Sequence, residues 1–205
     1  MSLVLAIDTA STDFALALAL DGEVVASLTR DGAQDHSRLL LTAIDELLGT
    51  RRRDLSAVVA VRGPGSYAGL RVGLATAQGL ALAAGVPIRG IGTMEAVAVA
   101  SGLRDFTAIH PAGRGEFAAQ DFRYGQPVAP LRVAAAEELR SSSNLAGEGA
   151  GALGGLEITP EARCRAALRA LLPALTTASD EGVEAIYLRE PNITTPRRPA
   201  GARTS

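Results

Sequence analysis

The chain has 205 residues, of which 47% are hydrophobic and 20% charged, with a formal net charge of -2. That length can bury a core as one large domain or two small ones. The near-neutral, slightly acidic balance gives no basis for strong nucleic-acid binding by this chain alone. All 20 basic residues are Arg, which reads as composition bias more than function. A single Cys164 cannot make an internal disulfide, so a reducing cytoplasm is the expected setting. The opening MSLVLAIDTA has no basic segment ahead of its apolar run and soon meets Asp8, unlike a signal peptide. No apolar run is long enough to cross a bilayer as an uninterrupted helix, so no membrane partner is expected.

In chain order, Leu3 to Ile7 reads as a first strand that ends in the polar turn Asp8-Thr9-Ala10-Ser11-Thr12. Next, Phe14, Leu16, Leu18 and Leu20 alternate with Ala15, Ala17 and Ala19, a pattern that suits a strand buried on both faces. Asp21-Gly22 is a two-residue hairpin signal, with GEVVASLTR as the returning strand. A helix is predicted from about His36 to Leu48, stopped by Gly49. Leu40, Ile44, Leu47 and Leu48 form its stripe, and Leu39, Leu41 and Ala43 widen it. The charged connection Arg51-Arg52-Arg53-Asp54 leads to a strand over Val58 to Val61.

The turn Gly63-Pro64-Gly65 follows, then Ser66 as an N-cap, then a helix in which Leu70 to Ala84 is apolar nearly all round. Such a turn leaves backbone N–H groups at a helix start, where they can cradle an anion. The known phosphate motifs fit poorly: a P-loop needs a Lys, and Gly63, Gly65 and Gly69 miss the dinucleotide spacing. A structural turn is favoured over an anion site. The two broadly apolar helices need a second covering surface, either another domain or a partner subunit.

Beyond them, Ile88 to Ile91 is a strand candidate and Met94 to Ala100 a helix, with a boundary at Ser101-Gly102. Short strands are expected at Phe106 to Ile109, Glu116 to Phe122 and Val128 to Val133. Helices are expected at Ala134 to Arg140 and Pro160 to Leu172, the latter opened by Thr159-Pro160-Glu161 in cap order. Between them runs a glycine-rich loop in which Asn144 to Ala146 can form a short buried strand. From Pro191 the composition reads as a flexible tail.

Chemistry-bearing constellations are few. His36 and His110 are the only histidines, so a paired-His zinc helix is absent and a metallopeptidase is disfavoured. His36 reads as a polar helix-start residue, Cys164 as a small packed side chain, and Ser66 lies outside any nucleophile elbow. Asp8 stands at a strand's C-terminal end, where α/β folds place ligand groups. It can hold Mg²⁺ through water beside a nucleotide's phosphates or bond the N–H groups of its own turn; the turn role is favoured.

The segments LAIDTAS, the DG hairpin, HSRLL and VRGPGSYAGLRVGLATAQGLA closely resemble the TsaB (YeaZ) family. Glu184-Ala185-Ile186-Tyr187-Leu188-Arg189 echoes that family's C-terminal Y-L-R. The resemblance implies an actin/Hsp70/sugar-kinase-like α/β fold of two stacked ribonuclease-H-like halves. These would be an N-terminal subdomain over residues 1–101, a smaller one over 102–190 and a tail over 191–205.

It further implies a non-catalytic subunit of the complex that adds threonylcarbamoyl to the adenosine beside the tRNA anticodon. The implied partners are a TsaD-like catalytic subunit and a TsaE-like ATPase, with a homodimer when alone and tRNA reached only through the complex. Docking would use His36, Leu40, Leu41, Ile44, Leu47, Leu48, Leu70, Leu74, Gln78 and Leu82. No cofactor of its own is implied; ATP or ADP would belong to the complex. Asp8, Ser11, Gly63, Gly65 and Ser66 would form a vestigial nucleotide or anion site, with no metal. The alternative is a small ATP-binding kinase or ATPase of the same fold. Two departures stand out. The family's I-D-A-R-x-G-E motif reads here Ile109-His110-Pro111-Ala112-Gly113-Arg114-Gly115-Glu116, and Ala10 stands where nucleotide-binding members of the wider fold prefer glycine.

Overall fold

A computed structural model describes residues 2–32, 36–142, 144–175 and 183–188. The expected tail from Pro191 and the Arg189 of the Y-L-R echo lie outside the described residues. The chain opens with a three-stranded antiparallel meander, β1 (Leu3–Asp8), β2 (Asp13–Leu20) and β3 (Glu23–Asp31). Asp21 and Gly22 take φ of 48° and 89° in the turn between β2 and β3, the left-handed pair that a tight hairpin demands. Helix α1 (His36–Leu48) and a 3-10 turn (Gly49–Asp54) lead to β4 (Leu55–Val61), which pairs parallel with β1. Helix α2 (Tyr67–Ala84) then leads to β5 (Ile88–Ile91), parallel to β4. The sheet order is β3-β2-β1-β4-β5.

The large-small alternation of β2 sorts its side chains onto two unlike faces. Phe14, Leu16 and Leu18 join Leu3, Leu5 and Ile7 against Leu40, Ile44 and Leu48 of α1 and Leu74, Ala77 and Ala81 of α2. Each fully buried leucine or phenylalanine here contributes about 1.5–3 kcal/mol. The opposite face carries Ala6, Ala15, Ala17 and Ala19 with Val4, Val59 and Val61. Its short side chains admit close packing by α5 (Pro160–Leu171), through Cys164, Ala167 and Leu168.

Between β5 and α5 in chain order lies a second sheet. Helix α3 (Thr93–Ser101) is followed by β6 (Asp105–Gly113), β7 (Glu116–Arg123), β8 (Gln126–Pro127), β9 (Arg132–Ala135), a one-turn α4 (Ala136–Leu139), β10 (Leu145–Gly147) and β11 (Leu156–Glu157). The order is β11-β10-β6-β7-β8, with β9 also on β7. Of the strand expected over Val128 to Val133 only Arg132 and Val133 are strand, at the start of β9. Pro127 and Pro130 lack the N–H groups that a continuous ladder would use. The helix expected over Ala134 to Arg140 shrinks to four residues because Ala134 and Ala135 pair with Phe117 and Glu116 instead. The short buried strand suspected near residues 144–146 is β10, parallel to β6.

After β11 the chain crosses back. Thr159 caps α5 by accepting the Ala162 N–H, and the helix lies on the alanine face of the first sheet. The first sheet is thus covered on one side by its own helices and on the other by a helix from the far end of the described chain. That crossing brings residue 163 to the C-terminal end of β1.

Candidate functional site

The two sheets meet where β1, the Gly63–Ser66 turn, β6 and the loop after β10 converge. A cleft of about 460 Å³ lies there, lined among others by Ser11, Ser66, Tyr67, His110, Glu148 and Tyr187. Its floor is an ion cluster built from four separate parts of the chain. Asp8, at the end of β1, is fully buried, as is Arg163 of α5. Arg163 Nε donates to Asp8 Oδ2 at 2.7 Å and Nη2 to Asp8 Oδ1 at 3.2 Å, a bidentate pair. Nη2 also donates to Ser11 Oγ at 2.8 Å, and Nη1 to Glu148 Oε2 at 3.0 Å. Ser11 Oγ in turn donates to Glu148 Oε2.

His110 completes the cluster. Its Nε2 lies 3.1 Å from the Ala10 carbonyl and its Nδ1 lies 3.2 Å from Arg163 Nη1. A carbonyl can only accept and a guanidinium can only donate, so the ring is neutral with its proton on Nε2. Burial pushes the His110 pKa down to about 3, helped by the Arg163 charge and opposed by the Ala10 hydrogen bond and the Asp8 charge. For Arg163, burial alone would favour the neutral form. The Asp8 charge and hydrogen bonds, with a smaller share from Glu148, outweigh it and leave the pKa above the ordinary value. The Cys164 thiol, one residue on, is pushed up by burial and next by Asp8. It donates to the Ala15 carbonyl and packs as a small side chain.

A divalent cation beside Asp8 is the group that the fold family implies. The residues present do not fit it. Both Asp8 oxygens are taken by Arg163, and Oδ1 also accepts the Ala10 N–H at 3.0 Å. Among the described residues no group of three or more His, Cys, Asp or Glu side chains is placed to hold a metal ion. The favoured turn role of Asp8 is therefore found, and an unexpected ion pair with it.

The Gly63–Ser66 turn is shaped by backbone contacts. Gly63 sits at φ 104°, a conformation that side chains disfavour. A Cβ on Gly65 would stand 2.4 Å from the Ala10 carbonyl. Ser66 donates its N–H to that same carbonyl at 2.6 Å, and its Oγ accepts the Gly69 N–H at 3.2 Å as the α2 N-cap. A Cβ on Gly73 would stand 2.0 Å from Thr9 Oγ1. The glycines let α2 and its lead-in turn press against the end of β1. At the cleft mouth the Tyr67 and Tyr187 rings meet at 5.0 Å, and the Arg71 guanidinium lies 4.1 Å over Tyr67.

The expected docking set divides. Leu40, Ile44, Leu48, Leu70 and Leu74 are buried in this chain's own core, which corrects their assignment to a partner surface. Leu47 is half-buried and belongs with them. Leu41 and Leu82 are 53% and 85% exposed, and Gln78 is exposed while its Nε2 donates to the Val183 carbonyl. His36 opens α1, and its side chain lies outside the described part. Of the expected nucleotide or anion site, Ser11, Gly65 and Ser66 line the cleft, Asp8 lies buried on Arg163, and Gly63 precedes the lining stretch of the turn. Arg163, Glu148 and His110 are the members that sequence reasoning missed. One signal was available: Arg163 sits on the buried stripe of α5 with Ala166 and Ala167, where a lone charge requires a partner.

The fold and site define an α/β protein of two mixed sheets whose meeting point is filled by the chain's own ion cluster. Residues 23–171, more than half of the chain, match the family described as "TsaD: tRNA N6-adenosine threonylcarbamoyltransferase", and the chain belongs to that family, on its TsaB (YeaZ) side. It is 39% identical over 98 residues to the tRNA threonylcarbamoyladenosine biosynthesis protein TsaB of Escherichia coli, spanning 46% of this chain and 42% of that protein. It is 34% identical over 98 residues to TsaB of Bacillus subtilis, spanning 46% and 43%. The chain thus matches less than half the length of these relatives. YeaZ from Pseudomonas aeruginosa has a similar structure, with a TM-score of 0.70 at 20% identity over 92% of this chain and all of that one.

Proposed function

We propose that this chain is a non-catalytic scaffold and activator subunit in tRNA threonylcarbamoyladenosine biosynthesis, docking a TsaD-like catalytic subunit through the outer face of α1 and α2. The observation that carries the reading is the exposed surface of these two packed helices. Leu82 stands almost fully out of the chain and Leu41 half out, beside exposed small residues Ala68, Ala75, Gly79 and Ala83 on α2. Small side chains let a second pair of helices approach closely, and exposed leucines supply the apolar anchor. The same face would serve a homodimer when the chain is alone.

The absence of own catalysis is part of the proposal. Its support is the engagement of Asp8 by Arg163, which leaves that carboxylate no free oxygen for a metal-bound nucleotide. The family description names a transferase, but the paired-His helix of a metal-dependent subunit has no counterpart in a sequence with two distant histidines. ATP or ADP, a TsaE-like ATPase and tRNA then meet this chain only within the complex, in the cytoplasm. No helix among the described residues is long and apolar enough to cross a membrane. The test is co-elution with the TsaD-like subunit of the same cell on a sizing column. A stable joint peak, lost on Leu82→Glu, is expected. Separate elution of the two wild-type chains would overturn the docking reading.

A further inference from the structure

The ion cluster joins parts that belong to different lobes. Asp8 ends β1 in the first sheet, and Ala10 and Ser11 lie in the turn that leads from it to β2. His110 comes from β6 and Glu148 from the loop after β10, both in the second. Three contacts cross directly: Ser11 to Glu148, His110 to the Ala10 carbonyl, and Arg163 to both sides at once. Two-lobed proteins with a central cleft generally close by hinge motion around a ligand that bridges the lobes. Here the bridge is a side chain of the same polypeptide.

We propose that Arg163 is a built-in cation that holds the two lobes closed, standing where the strand-end carboxylate of Asp8 would otherwise meet a divalent ion, so that closure needs neither metal nor nucleotide. The chemistry fits a guanidinium better than a metal. Its planar fork matches the Asp8 carboxylate with two N–H groups and still presents Nη1 toward Glu148 and His110. The four partners supply acceptors only: two carboxylates, a hydroxyl oxygen and an imidazole Nδ1. With His110 neutral, the formal charges of Asp8, Arg163 and Glu148 sum to one net negative. The net negative charge of this floor would repel a polyphosphate approaching it. The inference is independent of the docking reading, since α1 and the outer face of α2 take no part in it.

The experiment measures lobe-to-lobe distance by electron spin resonance between labels on Val25→Cys and Val128→Cys, exposed sites on the first lobe and beyond β8 on the second. In the otherwise wild-type chain one narrow distance distribution is expected, unchanged by magnesium and ATP. Arg163→Ala should broaden it and lower the Tm by on the order of 10 °C. Millimolar methylguanidinium, which replaces the missing head group, should narrow it again and recover part of the Tm while leaving the parent unchanged. Should Arg163→Ala fail to fold, Glu148→Gln, on the partly exposed cleft wall, is expected to give a smaller broadening in a folded chain. A parent distribution that shifts with magnesium and ATP would overturn the proposal. So would an unbroadened Arg163→Ala or Glu148→Gln, or a broadening that methylguanidinium leaves untouched.

Discussion

His110 offers the sharpest quantitative check on the centre, because its neutral state follows from partners on both ring nitrogens. Its pKa falls from 6.5 to about 3 on folding, chiefly through burial. Above pH 6.5 the ring is neutral in both the folded and the unfolded chain, and it contributes no pH dependence. Below 6.5 the unfolded chain takes up a proton that the folded chain refuses. Stability is therefore lost as pH falls, at about 1.4 kcal/mol per unit, until the folded ring titrates near 3. Between pH 7.5 and pH 5 that amounts to about 2 kcal/mol.

The perturbation is His110→Gln, whose amide can still donate to the Ala10 carbonyl and accept from Arg163 but does not titrate. Urea unfolding of both proteins at the two pH values gives four free energies. Groups other than residue 110 titrate in both proteins and largely cancel in the difference. The expected outcome is a parent that loses about 2 kcal/mol more than the variant on going to pH 5. Parallel losses would refute the reasoning: either the ring is protonated in the folded state or its surroundings admit water.

The α2 glycines give a paired test. Gly73→Ala should destabilise by about 1–3 kcal/mol, because its Cβ would overlap the buried Thr9 side chain. Gly79→Ala, where a Cβ meets nothing, should stabilise by about 0.5–1 kcal/mol in the same thermal or urea melt. Ser66→Ala removes the α2 N-cap acceptor and should cost about 1 kcal/mol. Leu82→Glu should leave stability within about 0.5 kcal/mol while abolishing joint elution with the catalytic subunit. Leu40→Glu, by contrast, should unfold the chain at a cost of several kcal/mol, as circular dichroism would register.

Local chemistry made much of the fold readable. The β2 alternation, the Asp21-Gly22 hairpin and the caps at Ser66 and Thr159 each act within a few residues, and all stand where the sequence put them. The strand expected from Val128 begins only at Arg132, because the intervening Pro130 lacks an N–H for the ladder. The breadth of the apolar stripes on α1 and α2 misled in a different way. Alanine and glycine count as apolar wherever they fall, so the pattern could not separate Leu74, which fills the core, from Leu82, which leaves it. The ion cluster was least legible. Asp8 and Arg163 are 155 positions apart, and their meeting depends on a helix crossing from one sheet to the other, which no local pattern records.

That crossing also sets an order on how the protein can be made. The face of the first sheet formed by Val4, Ala6, Ala15, Ala17, Ala19, Val59 and Val61 packs against Cys164, Ala167 and Leu168 of α5, with Leu70, Ile91 and Ala96 also in the cluster. During synthesis the five strands of that sheet emerge long before α5, with part of one greasy side bare and the Asp8 carboxylate lacking a counter-charge. A nascent chain halted before Pro160 would lack the α5 side chains that pack on this face, and incomplete chains with apolar surface exposed are prone to aggregate.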